Sequence, residues 1–99
     1  MESITKQAYE EFMVAVSFGA NFASGEAITV CSATATDRSG TDATATVTDQ
    51  TTLTNGVWAV SVKVKAGTEA NSPYKLTFRC TTSAGHKWEH DIQMKVEEI

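Results

Sequence analysis

The stretch Tyr74-Lys-Leu-Thr-Phe-Arg-Cys-Thr81, followed after a Ser83-Ala-Gly85 break by Lys87-Trp-Glu-His-Asp-Ile-Gln-Met-Lys-Val96, decides the fold. Tyr74, Leu76, Phe78 and Cys80 alternate with Lys75, Thr77, Arg79 and Thr81. Beyond the break, Trp88, Ile92, Met94 and Val96 alternate with Lys87, Glu89, Asp91, Gln93 and Lys95. A two-residue period gives one apolar face and one wet face, the mark of an antiparallel sheet that covers a core on one side only.

The same period extends toward the amino terminus. Phe12, Val14, Val16 and Phe18 alternate with Met13, Ala15 and Ser17, which predicts a first long strand, and 19–25 supplies a loop. A second strand is predicted over 28–37, with Cys31, Ala33 and Ala35 on its inward face. Residues this small call for a bulky partner opposite, and Trp58 and Trp88 are the candidates. Residues 37–42 have the composition of a turn. A third strand is expected over 44–48 and a short fourth over 51–54. Asn55-Gly56 is the best tight-turn dipeptide, since both residues tolerate positive φ. A fifth strand over 57–65 then points Trp58, Val60, Val62 and Val64 inward. Residues 66–72 read as a polar loop, and Pro73 opens the sixth strand, where a missing N–H costs least.

Seven strands parted by Gly, Asn, Asp and Ser turns, with no helical period, describe an all-β fold. The expectation is a seven-stranded antiparallel two-sheet sandwich, an immunoglobulin-like or fibronectin-like Greek key, with a jelly roll or small barrel as the fallback. Residues 11–99 form the single sandwich domain, and 1–10 an N-terminal arm or an edge strand.

Composition narrows the function classes. The 99 residues suit one domain with one core, which needs neither metal nor disulfide to fold. A net charge of -4 and a pI near 5.0 argue against a nucleic-acid partner, which demands clustered Lys and Arg. The 15 threonines suit exposed strand faces, their branched β-carbon favouring extended backbone. No segment approaches the roughly 20 apolar residues of a membrane helix, so no membrane partner is expected. No apolar stretch like a signal peptide's stands near Met1, which predicts a chain made in the cytoplasm.

Side chains capable of chemistry are few. Cys31 and Cys80 both fall on inward faces, so a bridge between sheets is conceivable. Reduced thiols are the expectation for a cytosolic chain. His86 and His90 lie four residues apart on a strand, about 13 Å, too far to share one zinc ion. His86 is expected in a turn and His90 half-buried in the apolar stripe. Asp37, Ser39, Thr41 and Asp42 offer oxygens around Gly40, but too few carboxylates for a calcium loop. The pairs Glu10-Glu11 and Glu97-Glu98 point to opposite faces and make no acid–base dyad. The serines lack a nucleophile-elbow pattern, and no glycine-rich phosphate loop occurs. No catalytic residue, cofactor or metal is expected, and the chain is not expected to be an enzyme. Tyr9, Met13 and Phe22 stand outside the alternation, or on its wet side, and would make a contact patch if they converged.

Several runs carry a family resemblance: Glu11-Phe-Met-Val-Ala-Val-Ser-Phe18, Ala23-Ser-Gly-Glu-Ala-Ile28, Cys31-Ser-Ala-Thr-Ala-Thr-Asp37, Val62-Lys-Val-Lys-Ala-Gly-Thr68 and the two strands quoted first. Together they span nearly the whole chain. The sequence resembles small immunoglobulin-like β-sandwich proteins encoded among the structural genes of tailed bacteriophages and prophages. The resemblance implies a non-catalytic virion structural or accessory protein: a capsid decoration, a head–tail junction or a tail module. Its partners would be phage capsid or tail proteins, met as a homo-oligomer or as repeated copies on a symmetric particle. Such families commonly carry a proline near 6–8, where an extended arm begins. Ala8 departs from that pattern.

The alternative is a carbohydrate- or cell-surface-binding sandwich with exposed aromatic rings, which predicts Trp58 or Trp88 at the surface. A further option is a secreted module bridged by Cys31 and Cys80.

Overall fold

In the computed structural model, which describes residues 2–98, seven strands form two sheets. The strands are β1 (Glu2–Lys6), β2 (Phe12–Ser17), β3 (Ile28–Thr36), β4 (Thr48–Asn55), β5 (Ala59–Val64), β6 (Tyr74–Thr82) and β7 (Lys87–Val96). One sheet has the order β1-β7-β6-β3 and the other β2-β5-β4. Two connections, β4–β5 and β6–β7, are hairpins within a sheet, and every other link crosses between layers.

Alternation places the core as the sequence requires. Val14 and Val16 of β2 and Val60, Val62 and Val64 of β5 face Ala33, Ala35, Leu76, Phe78, Ile92, Met94 and Val96 of the larger sheet, all buried. Burial of these apolar faces is the main drive to fold.

Four expectations are corrected. The pairing is not wholly antiparallel, because β1 runs parallel to β7. The chain leaves β1, crosses to the other sheet as β2 and returns only later, so no hairpin forces β1 to reverse. Second, the strand expected over 44–48 is a single helical turn, α1 (Thr44–Val47), and β4 begins where it ends. Asp42 Oδ1 accepts hydrogen bonds from the Thr44 N–H (3.0 Å) and hydroxyl (2.7 Å), which coils the chain and swings Val47 into the core.

Third, Trp58 does not point inward. β5 begins only at Ala59, and the Val57-Trp58 pair occupies the hairpin turn, whose carbonyls accept the N–H groups of Ile28 (3.0 Å) and Phe18 (2.7 Å). The bulky partners of the small residues are instead cross-strand neighbours: Ala33 faces Phe78 and Ala35 faces Leu76. Fourth, Cys31 and Cys80 lie on adjacent strands of one sheet and not across the two layers.

Candidate functional site

Three connections meet where β2, β4 and β6 end: 18–27, 56–58 and 83–86. Glu26 joins the first of these to the end of β6 and the third, and is only 5% exposed. Its Oε1 accepts the Ala23 N–H at 2.9 Å, and the Glu26 N–H returns a bond to the Ala23 carbonyl at 3.0 Å. Its Oε2 accepts the Thr82 hydroxyl and lies 3.1 Å from His86 Nδ1. The Thr82 hydroxyl, then the Ala23 N–H, hold the Glu26 carboxyl below its usual range, against the opposing push of burial.

This cluster joins a hydroxyl, an imidazole and a carboxylate, yet in the wrong order for acyl transfer. A nucleophilic hydroxyl must face an imidazole base that the carboxylate orients. Here both groups face the carboxylate, and Thr82 is buried. The arrangement clamps two loops together. Nothing in the spacing of Glu26, Thr82 and His86 announces it; the reciprocal Ala23–Glu26 bonds, a turn-closing pattern three residues long, are the nearest local signal.

The other singled-out side chains are occupied separately. His90 Nε2 lies 3.3 Å from Glu2 Oε1, so the two histidines engage different carboxylates. Asp37 Oδ1 accepts the N–H groups of Ser39 (2.9 Å) and Thr41 (3.0 Å), spending that carboxylate on its own turn. Among the described residues, no three His, Cys, Asp or Glu side chains converge to hold a metal ion.

Tyr9, Met13 and Phe22 do not form one patch. Tyr9 is 95% exposed in the β1–β2 connection, and Met13 is 50% exposed on the outer face of β2. Phe22 belongs to the 18–27 connection at the far end of a molecule 44 Å long, half-buried against the core. The exposed aromatic at that far end is Trp58, at 59%, beside exposed Val57. Trp88 is half-buried, its ring edge-on to His86 at 6.3 Å.

Sheet edges are the remaining places where backbone groups stand ready for a partner. The β3 edge is closed: the Ala35 carbonyl accepts from Ala43 N–H (2.8 Å), the Ala35 N–H donates to Thr44 Oγ1 (3.0 Å), and Gln50 Nε2 donates to the Ala33 carbonyl (2.9 Å). The β4 edge is broken by a register shift between Asp49 and Thr54 and by threonine hydroxyls bonded to its own backbone. β2 differs. It pairs residue for residue with β5 from Phe12 to Ser17, with no bulge. The Phe18 N–H bonds to Trp58, so by alternation Phe12, Val14 and Val16 turn their backbone groups to β5. Met13, Ala15 and Ser17 turn theirs outward, where no described group meets them.

The sequence matches no protein-family model and no curated protein.

Proposed function

We propose that this chain is a non-catalytic, immunoglobulin-like docking module of a tailed-phage particle, joined to capsid or tail subunits by strand addition at β2. The observation that carries the docking mode is the asymmetry of the edges. Those of β3 and β4 are closed by side chains or irregularity, and the short β1 edge carries charges at Glu2 and Lys6, whereas β2 offers an unbroken, uncharged strand with three outward-facing residues. Main-chain bonds to an added strand supply affinity, and repetition around a symmetric particle multiplies it. The sheet order supports the immunoglobulin-like reading: β2, β5 and β4 group as strands B, E and D do, and β3, β6 and β7 as C, F and G. The virion role itself rests on the sequence resemblance.

Ala15→Pro tests the reading. It removes one outward N–H and leaves every bond to β5 in place, a position where an edge strand tolerates proline. Wild-type protein is expected to co-sediment with particles assembled without it, and the variant to lose that binding while its thermal midpoint stays close to wild type. A wild-type chain that ignores such particles overturns the phage reading. A variant that binds as well as wild type overturns the β2 edge.

One observation favours a second reading, a carbohydrate- or cell-surface-binding module: the Trp58 ring is exposed on a turn beside two other loops. Aromatic rings so placed stack on the apolar faces of sugars. Perturbation of Trp58 emission by oligosaccharides, lost in Trp58→Ala, would move the assignment to that class.

A further inference from the structure

Cys31 and Cys80 are directly opposed in the β3–β6 register, so their side chains share one face of the sheet. Their neighbours reveal which kind of pair they form. The outward bonds of Ala33 and Ala35 show that odd-numbered residues of β3 turn their backbone groups away from β6. Cys31, in unbroken register with them, therefore meets Cys80 as a non-hydrogen-bonded pair. That is the closer of the two antiparallel arrangements, with Cα atoms about 4.5 Å apart. A disulfide spans Cα separations of roughly 4.4–6.8 Å. Both thiols are free; Cys80 is buried and Cys31 only half-buried. The Cys31 thiol faces the other sheet, where Asn55 Oδ1 lies 3.8 Å from its sulfur.

We propose that Cys31 and Cys80 are a redox modification site, closed into a cross-strand disulfide by a small-molecule disulfide of the glutathione type. The more accessible Cys31 thiolate attacks one sulfur of the oxidant. The oxidant's S–S bond breaks, and the departing thiolate takes up the proton that Cys31 has shed. The Cys80 thiolate then attacks Cys31 Sγ in the mixed disulfide, and a second small thiol leaves with the proton from Cys80. The protein loses two electrons and two protons, which reduce one oxidant molecule to two thiols. Burial raises both thiols above their ordinary pKa, so closure is slow at neutral pH and faster in alkali.

The bridge would staple β3, which has a strand on one side only, to the middle of its sheet. It closes a long loop, residues 31–80, the case in which a disulfide most restricts the unfolded chain. A chain that folds reduced and later meets oxidising surroundings would be locked after folding and not before. None of this depends on what the module docks to.

The test treats native wild-type protein with oxidised glutathione at mildly alkaline pH, with Cys31→Ser as the control. Expected are a monomer lighter by two hydrogens, loss of both thiols titratable in denaturant, and a thermal midpoint raised by at least about 5 °C and reversed by reductant. The Cys31→Ser chain should show none of these changes. Persistence of two thiols, a stable glutathione adduct on Cys31, a covalent dimer, or bridging only under denaturant would each overturn the proposal.

Discussion

The Lys6 ammonium donates a hydrogen bond of 2.5 Å to the carbonyl of Ala66, tying the end of β1 to the loop after β5. The same nitrogen donates to the carbonyls of Gln7 (2.8 Å) and Ala8 (3.2 Å), so its three protons are all placed, and the residue is 1% exposed. Burial lowers the Lys6 pKa, while Glu10, Glu11 and Glu98 pull it back up. Ala8 extends the tie, since its N–H donates to Glu98 Oε1 at 2.7 Å, a bond that a proline there would lack. Lys6→Met keeps the aliphatic stem and removes the donors. We expect it to cost about 1–3 kcal/mol, because the Ala66 carbonyl loses its partner. A urea melt measures this, and an unchanged midpoint would show that water replaces the ammonium without loss.

The Ala33–Phe78 pair fixes the spacing of β3 and β6 at the centre of the core. Ala33 is 2% exposed and Phe78 not at all, so extra methyl groups at 33 would have to enter the core. Ala33→Leu is expected to destabilise by about 1–3 kcal/mol through overpacking. Thr34, one residue on and exposed, is the contrast. Thr34→Val should shift stability by no more than about 0.5 kcal/mol. Equal costs at the two positions would contradict the inward and outward assignment of β3.

Glu26 makes a prediction with a definite sign. Its folded pKa lies below the unfolded value near 4.5. The folded state therefore binds this proton less readily than the unfolded chain, and the carboxylate contributes stability above pH 4.5. That contribution is lost as pH falls from about 4.5 through the lower folded value. Denaturation midpoints of wild type should drop more steeply through this acid window than those of Glu26→Gln. Parallel curves for the two proteins would show that Thr82 and Ala23 do not hold the charge.

The sheets were legible where alternation is long, and obscured where a local bond overrides it. Along β6 an apolar residue recurs at every second position from Tyr74 to Cys80, and along β7 from Trp88 to Val96 with His90 the one polar member, and no turn chemistry competes. At 44–48 the same alternation is only five residues long, and the Asp42 carboxylate coils it into a turn. The period of β5 carries backward to Trp58, but the N–H groups of Phe18 and Ile28, remote in sequence, claim the carbonyls of the turn and set the ring outside. The Glu26 cluster joins two segments up to 60 residues apart, so only its Ala23–Glu26 half has a local pattern. The open edge of β2 was equally hidden, since it depends on which strands become neighbours.

The two tryptophans give the last prediction. Trp58 is 59% exposed and Trp88 half-buried, so emission should divide into a red, quencher-accessible part and a bluer, shielded part. Trp58→Phe should remove the accessible part and leave the remaining spectrum blue-shifted. Its cost in stability should be small, within about 0.5 kcal/mol, because the ring buries little surface on the hairpin turn. Gly19 lies against it, and its missing side chain leaves room for the indole: a Cβ built there would stand 3.2 Å from Trp58 Cβ. Gly19→Ala should therefore disturb Trp58 emission without changing that of Trp88. If Trp58→Phe instead left a red, readily quenched spectrum, the exposed ring would be Trp88, and the turn at 56–58 would have to fold inward.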